Sequence, residues 1–394
     1  MVIYWSMLLW VFFIGLVQPN EHNPLLNNHA VGYKVSWKLA IALMLPVTFF
    51  AAVRSGVLDT ATYIGMFKSM PEYAAVFDEW IRTQKDSQLF YGLSDLWKCY
   101  VSDDPQWWLA LIAVLHGVCL TVAFRKHSVN MPMTAYLFIA STAFSWMYNG
   151  IRQFLVITIL FALTDCIIKN RWYIYVPVLL FISGIEPILE MANVETPWWL
   201  CGVHQSGLLM LPVFFFVQGK AYNWKMLLMT FVFCLLAITG ALEPLLGTAM
   251  ETVDRVDEFA MLAEAGDNGA HPIRAVVASA PLVLALLKKK EIDTMGDNVP
   301  ALVHISINMT IFTVALYVAS TLTGSGIMIG RLPAYTELYS YLLIPWLLTN
   351  IYKKDQMAMT YCVYGAYLLW FLYQMLIAWG GLSYLSDILG LYYW

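Results

Sequence analysis

Charge is what this sequence has least of. Asp, Glu, Lys and Arg make up only 12% of its 394 residues, about half the share of an ordinary soluble domain. A water-soluble globular protein of this length is thereby excluded. There is no Lys/Arg-rich tract, so no nucleic-acid partner is expected. The first residues have neither a basic n-region nor a small-residue cleavage site, so residues 1–17 read as a retained span and not a removed signal. The six cysteines show no metal-ligand spacing, and neither a metal nor a cofactor is expected. Cys119, Cys166, Cys234 and Cys362 fall in apolar runs, while Cys99 and Cys201 would share one side and could pair if that side is oxidising. No soluble domain, internal repeat or low-complexity tract interrupts the chain, so residues 1–394 are expected to form a single transmembrane domain.

What is present is apolar length. With 60% hydrophobic residues and a mean hydropathy of +0.65, the chain reads as an all-α polytopic integral membrane protein. Trp and Tyr bracket several apolar runs, as they do at membrane interfaces. Runs of roughly 17–25 apolar residues give about twelve spans, near 1–17, 36–53, 106–124, 131–148, 151–168, 172–190, 198–218, 223–242, 273–287, 300–321, 332–352 and 357–379. Every second short loop is basic: Arg125-Lys126, Lys169 with Arg171, Lys220 with Lys225, Lys288-Lys289-Lys290 and Lys353-Lys354. Under the positive-inside rule these face the cytoplasm, and both termini then lie outside. The two long loops, 54–105 and 243–272, fall on the outer side and are rich in Asp and Glu. Apolar residues at helical spacing, such as Tyr63, Met66, Phe67 and Met70, make them amphipathic helices on the outer leaflet. Gly266-Asp267-Asn268-Gly269 reads as a turn.

Polar groups converge on that outer side. Residues 144–155 read Phe-Ser-Trp-Met-Tyr-Asn-Gly-Ile-Arg-Gln-Phe-Leu, and the tight Asn149-Gly150 turn sets Arg152 and Gln153 at the mouth of a membrane helix. An arginine deep in hydrocarbon costs about 2.5–3.5 kcal/mol, less where it snorkels as an interfacial anchor. Arg54, with Asp59 and Tyr63, leaves the second span; His204 and Ser206 lie in the outer half of the seventh; Arg274 beside His271 opens the ninth; Arg331 with Tyr335 opens the eleventh. Four arginines at one interface suit a pyrophosphate, whose oxygens accept forked hydrogen bonds from guanidinium groups. Nearby acids could instead pair with them, Asp59 with Arg54 above all. His204 is either a packed polar side chain or a general base, since imidazole titrates near neutrality. Glu186 and Glu190, one turn apart, could share a face with it or mark a helix end. Asp103-Asp104 is a weak metal candidate and Asp165 a structural one.

These motifs, in this order, resemble those of the EpsG/Wzy-type polysaccharide polymerases of bacteria. The likeness rests on Arg54, Asp59-Thr60 and Tyr63, on Asn149-Gly150-Ile151-Arg152-Gln153, on Val203-His204-Gln205-Ser206, and on Arg331 with Tyr335. Each motif is short, so order and sidedness carry the likeness. Val57-Leu58 stands where the family usually has Gly-Thr, and Gln205 where proline is common. The resemblance implies a GT-C-like glycosyltransferase of the bacterial inner membrane. Such an enzyme joins oligosaccharide repeat units carried on undecaprenyl pyrophosphate at the periplasmic face, as in O-antigen and exopolysaccharide synthesis, and needs no metal. It leaves open a chain-length regulator as partner. On this reading Arg54, Arg152, Arg274 and Arg331 hold the pyrophosphate, and His204, or failing it Asp59, is the base. Tyr63, Asn149, Gln153, Ser206 and Tyr335 line the substrate. The alternatives are an O-antigen ligase with the same donor chemistry, a membrane O-acetyltransferase and a non-enzymatic flippase. Outward clustering of the arginines speaks against the acetyltransferase. Concentration of polar groups at one face speaks against the flippase.

The alternation of basic loops generates a direct prediction. In intact cells, the cysteines of Lys126→Cys and Lys289→Cys should resist a membrane-impermeant thiol reagent, and that of Asp257→Cys should react. Labelling of Lys289→Cys from outside would overturn the topology.

Overall fold

Apolar runs in this chain have become helices because a bilayer offers no water to unpaired main-chain groups, and a helix satisfies them internally. A computed structural model describes residues 2–72, 76–84, 87–190, 193–241, 271–322, 329–379 and 382–392. Among the described residues it is all-helical, apart from isolated bridges such as Gly56 with Leu385. Three helices there, Pro105–His127, Ala301–Leu322 and Gln356–Ala378, are long and apolar enough to cross a membrane. Eight shorter apolar helices of 10–17 residues accompany them.

The chain divides into two compact units. The first comprises Met1–Thr164, Phe181–Gln205 and Pro345–Trp394. It begins with α1 (Val2–Leu16), α2 (Trp37–Ala52), α3 (Thr60–Ser69), α4 (Phe77–Thr83), α5 (Gln88–Tyr100), α6 (Pro105–His127), α7 (Met131–Ala140) and α8 (Ile151–Ala162). The α6 helix starts where the sequence says it should. Asp104 accepts from the Gln106 amide at 2.9 Å, Pro105 takes the first turn, and Arg125, Lys126 and His127 sit at the negative end of the dipole. Asp104, the weak metal candidate, is thus a helix cap. The α2 and α6 helices pack closely, with Thr48 filling the space beside Gly117, where a Cβ would meet its Oγ1 at 2.1 Å. Arg125 at the end of α6 stacks on the ring of Trp37 at the start of α2, 4.1 Å from its centroid. Helix Gln356–Leu372 joins α7 through Tyr136, whose hydroxyl donates to the Tyr364 carbonyl at 2.9 Å. Residues 54–105 carry the expected amphipathic helices, with Tyr63, Phe67 and Met70 buried and Phe67 stacked on Trp108 at 5.0 Å.

The second unit comprises Asp165–Leu180 and Ser206–Ile344. Helix Ala301–Leu322 is its axis, packed against Pro272–Leu287 and Trp224–Ile238. Buried Asn308 ties the turn before Trp224: its Nδ2 donates to the carbonyls of Val217 and Lys220, each at 3.1 Å, and its Oδ1 accepts from the Tyr222 amide at 2.8 Å. The acidic loop expected at 243–272, with its 266–269 turn, falls almost wholly outside the described residues.

Several expected spans are not continuous helices. The 131–148 run breaks after Ala140; Thr142 has φ +68°, and a 3-10 turn, Ala143–Met147, follows. The 332–352 run splits into Ala334–Glu337 and Ser340–Asn350, and helix Gln356–Leu372 loosens into a π turn, Tyr373–Ala378. The largest departure lies in 172–190 and 198–218. Helix Trp172–Ser183 stops at Gly184, and residues 201–204 are not helical at all. His204, expected inside a span, therefore sits just ahead of a 3-10 turn, Gln205–Leu209. The reason is a main-chain crossing. The Ile185 amide donates to the Leu200 carbonyl at 3.0 Å and the Val203 amide to that of Ile182 at 2.7 Å. Gly184 and Gly202, both at positive φ, leave room for it.

That crossing predicts a specific sensitivity. A Cβ on Gly202 would lie 2.3 Å from main-chain atoms of Gly184 and Ser183, whereas one on Gly219, also at positive φ, meets nothing within 4 Å. Gly202→Ala should therefore cost about 1–3 kcal/mol more than Gly219→Ala, read as a lower unfolding midpoint of purified protein. Equal midpoints would mean that the two segments do not cross.

Candidate active site

The first unit gathers the candidate residues of the first two motifs around one hydrogen bond. Asp59 stands at the head of α3, but its carboxylate makes no cap there. It accepts instead from the Gly150 amide, 91 residues on, at 3.2 Å. The turn at residues 53–60 is held from within by Thr60, whose hydroxyl donates to the Val57 carbonyl at 2.6 Å and accepts from Arg54 Nε at 3.0 Å. It is held from without by Leu385, which accepts from the Ser55 and Gly56 amides at 2.9 and 3.3 Å and donates to the Gly56 carbonyl at 2.7 Å.

Arg54 is not at the surface. It is 1% exposed, donates through Nη1 to the Ala51 carbonyl, and faces the Tyr148 ring with Cζ 5.5 Å from its centroid. Among the described residues Arg54 and Asp59 form no ion pair. The pairing weighed from sequence is replaced by two separate engagements.

Arg152 and Gln153 are likewise buried, in the first turn of α8. The Arg152 guanidinium lies over the Tyr91 ring at 5.3 Å. Tyr91 belongs to α5, which acts as a shared platform. Its Phe90 packs against Tyr63 at 6.5 Å, and Gly92 lies so close under Trp198 that a Cβ would meet that ring at 2.6 Å. Trp198 opens the segment that leads to His204. Beside it, Gln205 Nε2 donates to Glu186 at 3.1 Å, so one of the two glutamates does reach the His204 segment. Asn149 is half-buried in the turn itself. Cys99 and Cys201 are thiols, with Cys201 set against the Pro197 carbonyl at 3.5 Å.

The second unit holds the remaining candidates. The Ser206 and Tyr335 hydroxyls are 2.9 Å apart, which joins two residues named separately from sequence. Arg274 lies in the first turn of helix Pro272–Leu287, where His271 Nδ1 accepts from the Ile273 amide at 3.3 Å. Its charge acts on Glu337, whose carboxylate accepts from Tyr317 at 2.9 Å and Tyr341 at 2.7 Å. Arg331 is half-buried just before Pro333. The four arginines thus divide two and two between the units.

Sequence reasoning missed Tyr91, Tyr148, His116 and Glu337. Tyr148 adjoins the Asn149-Gly150 turn and was within reach of the motif. Tyr91 sits on the buried side of an amphipathic helix that was expected but not aligned with Arg152. His116 and Glu337 offered no signal beyond a lone polar residue in an apolar run.

A family model described as the EpsG family matches residues 37–185 and 199–385. The chain belongs to the EpsG family. The matched stretches contain all four arginines, Asp59, Tyr63, Asn149, Gln153, His204, Ser206 and Tyr335, and end on the Leu385 that pins the Arg54 turn. Glu186 falls between them. Comparisons with curated proteins and with solved structures give no match. EpsG membership and the apolar helices point to a membrane polysaccharide polymerase of the glycosyltransferase type.

If the Tyr91 ring positions Arg152, its loss should cost activity in this EpsG-family chain. A desolvated cation–π contact is worth about 2 kcal/mol. Tyr91→Leu should lower the polymerisation rate at least about tenfold, while Tyr91→Phe, which keeps a ring, stays within about threefold. Equal rates for the two variants in purified enzyme would show that Arg152 is held in some other way.

Proposed function

We propose that this chain joins oligosaccharide repeat units carried on undecaprenyl pyrophosphate, at the periplasmic face of the bacterial inner membrane. The growing glycan leaves its lipid pyrophosphate and passes to a sugar hydroxyl of the next lipid-linked unit. The observation that carries this reading is the joining of the Arg54–Asp59 turn to the Asn149–Gly150 turn at the mouth of α8. It keeps Arg54 and Arg152 in one unit, which supports a shared role for them in holding the pyrophosphate. This reading takes about twelve spans in one GT-C-like transmembrane domain, with both termini and the reacting face on the periplasmic side. A chain-length regulator is the protein partner such a polymerase would take.

The chemistry follows from the residue types. The bond from the anomeric carbon to the pyrophosphate oxygen breaks, and the bond from that carbon to the acceptor oxygen forms. The leaving pyrophosphate takes the electron pair, and guanidinium groups stabilise its growing charge: Arg54 and Arg152 are the candidates in the first unit, Arg274 and Arg331 those in the second. The acceptor proton goes to a base as the new bond forms. His204 is the first candidate: it is half-buried, on non-helical backbone beside Gln205 and Glu186. Asp59 comes second because its carboxylate is already engaged by the Gly150 amide. Tyr63, Asn149, Gln153, Ser206 and Tyr335 orient the sugars.

Single-turnover transfer between purified lipid-linked repeat units, normalised to folded enzyme, tests these roles. Arg152→Lys keeps the charge but loses the fork, so it should express normally and make little polymer. His204→Ala should retain donor affinity and slow the chemical step about 10²–10⁴-fold. A normal rate per folded molecule from His204→Ala moves the base to Asp59. Wild-type polymer from both Arg152→Ala and Arg331→Ala would sink the pyrophosphate assignment.

A further inference from the structure

The interior of the first unit holds hydrogen-bond donors that no acceptor meets. Arg54 is 1% exposed, and Tyr4, His116 and Tyr148 are fully buried. Arg54 Nη2, both His116 ring nitrogens and the hydroxyls of Tyr4 and Tyr148 have no hydrogen-bond partner. The Ile151 main chain faces the His116 ring without reaching hydrogen-bonding geometry.

Ring contacts and charge link these groups to one another. The Arg54 guanidinium stands over Tyr148 at 5.5 Å. Tyr148 and Tyr4 each lie 6.4 Å from the Tyr384 ring, and Phe144 fills between them at 5.8 and 5.6 Å. His116 is an electrostatic neighbour of Arg54 and rests edge-on against Phe154 at 5.2 Å. The linked groups therefore come from both motifs: Arg54 from the first, Tyr148 and Ile151 from the second.

Leaving one buried polar atom unpaired costs about 1–3 kcal/mol, and more where it is charged. A guanidinium cannot shed its proton to escape that cost. No carboxylate answers Arg54, because the one five residues away is turned to Gly150. All the orphan side chains can donate: a guanidinium, two phenols and an imidazole N–H. Water would satisfy some of them and leave the positive charge in place. A ligand made of acceptors and carrying negative charge satisfies the guanidinium, the two phenols and the imidazole N–H.

We propose that Arg54, His116, Tyr4 and Tyr148 form a buried anion site that takes a phosphate group. The source is either the pyrophosphate of the lipid-linked donor, which rests on the polymerase reading above, or free inorganic pyrophosphate, which does not. With Arg54 so enclosed, entry requires the turn at residues 53–59 to move.

The test uses full-length protein in nanodiscs and inorganic pyrophosphate as probe, with binding measured by calorimetry and donor KM measured alongside. Wild-type protein should bind pyrophosphate. Tyr148→Phe, which removes a single oxygen, should weaken binding at least about tenfold, or 1.4 kcal/mol, and His116→Phe should do the same. A matching rise in donor KM with kcat unchanged supports the site and assigns it to the donor. Weakened probe binding with donor KM unchanged supports it as a site for the free anion. Absence of pyrophosphate binding to the wild-type protein overturns the proposal, as does unaltered affinity in both variants. Wild-type protein that binds the probe but transfers no glycan would leave the site standing and remove the polymerase reading.

Discussion

The hydrogen bond from the Gly150 amide to Asp59 is the contact on which the first unit's site depends. It closes a long loop of chain and fixes the start of α8, and with it Arg152, against the turn that carries Arg54. It also decides an electrostatic question. Asp59 is near enough in sequence to neutralise Arg54, yet its carboxylate serves a main-chain donor instead. The guanidinium is left buried with only hydroxyl, carbonyl and aromatic neighbours. Burying an ion without its counter-ion costs several kcal/mol. A chain selected for stability alone would pair the two. Strain of this kind persists where the surrounding structure enforces it, and it concentrates at functional sites.

The surrounding enforcement comes from irregular backbone. The candidate residues of the first unit lie beside three interruptions of regular helix: the turn at 53–60, the 3-10 turn and positive-φ residues at 142–150, and the crossing of 182–185 with 200–203. Within hydrocarbon, non-helical backbone survives only where protein or a polar cavity satisfies it. Here each interruption is satisfied by a named partner: Leu385 for the first, Asp59 for the second, and the two crossing segments for each other in the third.

The apolar runs were legible because hydropathy sums over many residues, and most of them reappear as helices. The amphipathic helices of loop 54–105 were legible for the same reason, and the Asn149-Gly150 turn because its residue pair has a strong local preference. The crossing at Gly184 and Gly202 was not, since a hydropathy window sees neither main-chain approach nor positive φ. The depth of Arg54 was not legible either. Its neighbour Tyr148 comes from the other motif, and Tyr384, which packs on Tyr148, comes from near the far end of the chain. An arginine following an apolar run looks interfacial until those rings are in place. His116, a lone polar residue inside an apolar run, offered no such signal, and only its electrostatic link to Arg54 gives it meaning.

Compensation also separates Arg274 from Arg54. Arg274 has Glu337 as an electrostatic neighbour, and that carboxylate is fixed by two tyrosine hydroxyls. An incoming phosphate at Arg274 would meet a guanidinium already partly neutralised, and would feel repulsion from the carboxylate behind it. Arg54 has no such acid at hand. The attraction it offers an anion is therefore larger, and the low-dielectric surroundings that make its isolation costly also strengthen that attraction. If these arginines take phosphate as proposed, Arg54 would bind it more strongly than Arg274 does. Burial, which alone would count against Arg54 as a ligand, would then count in its favour.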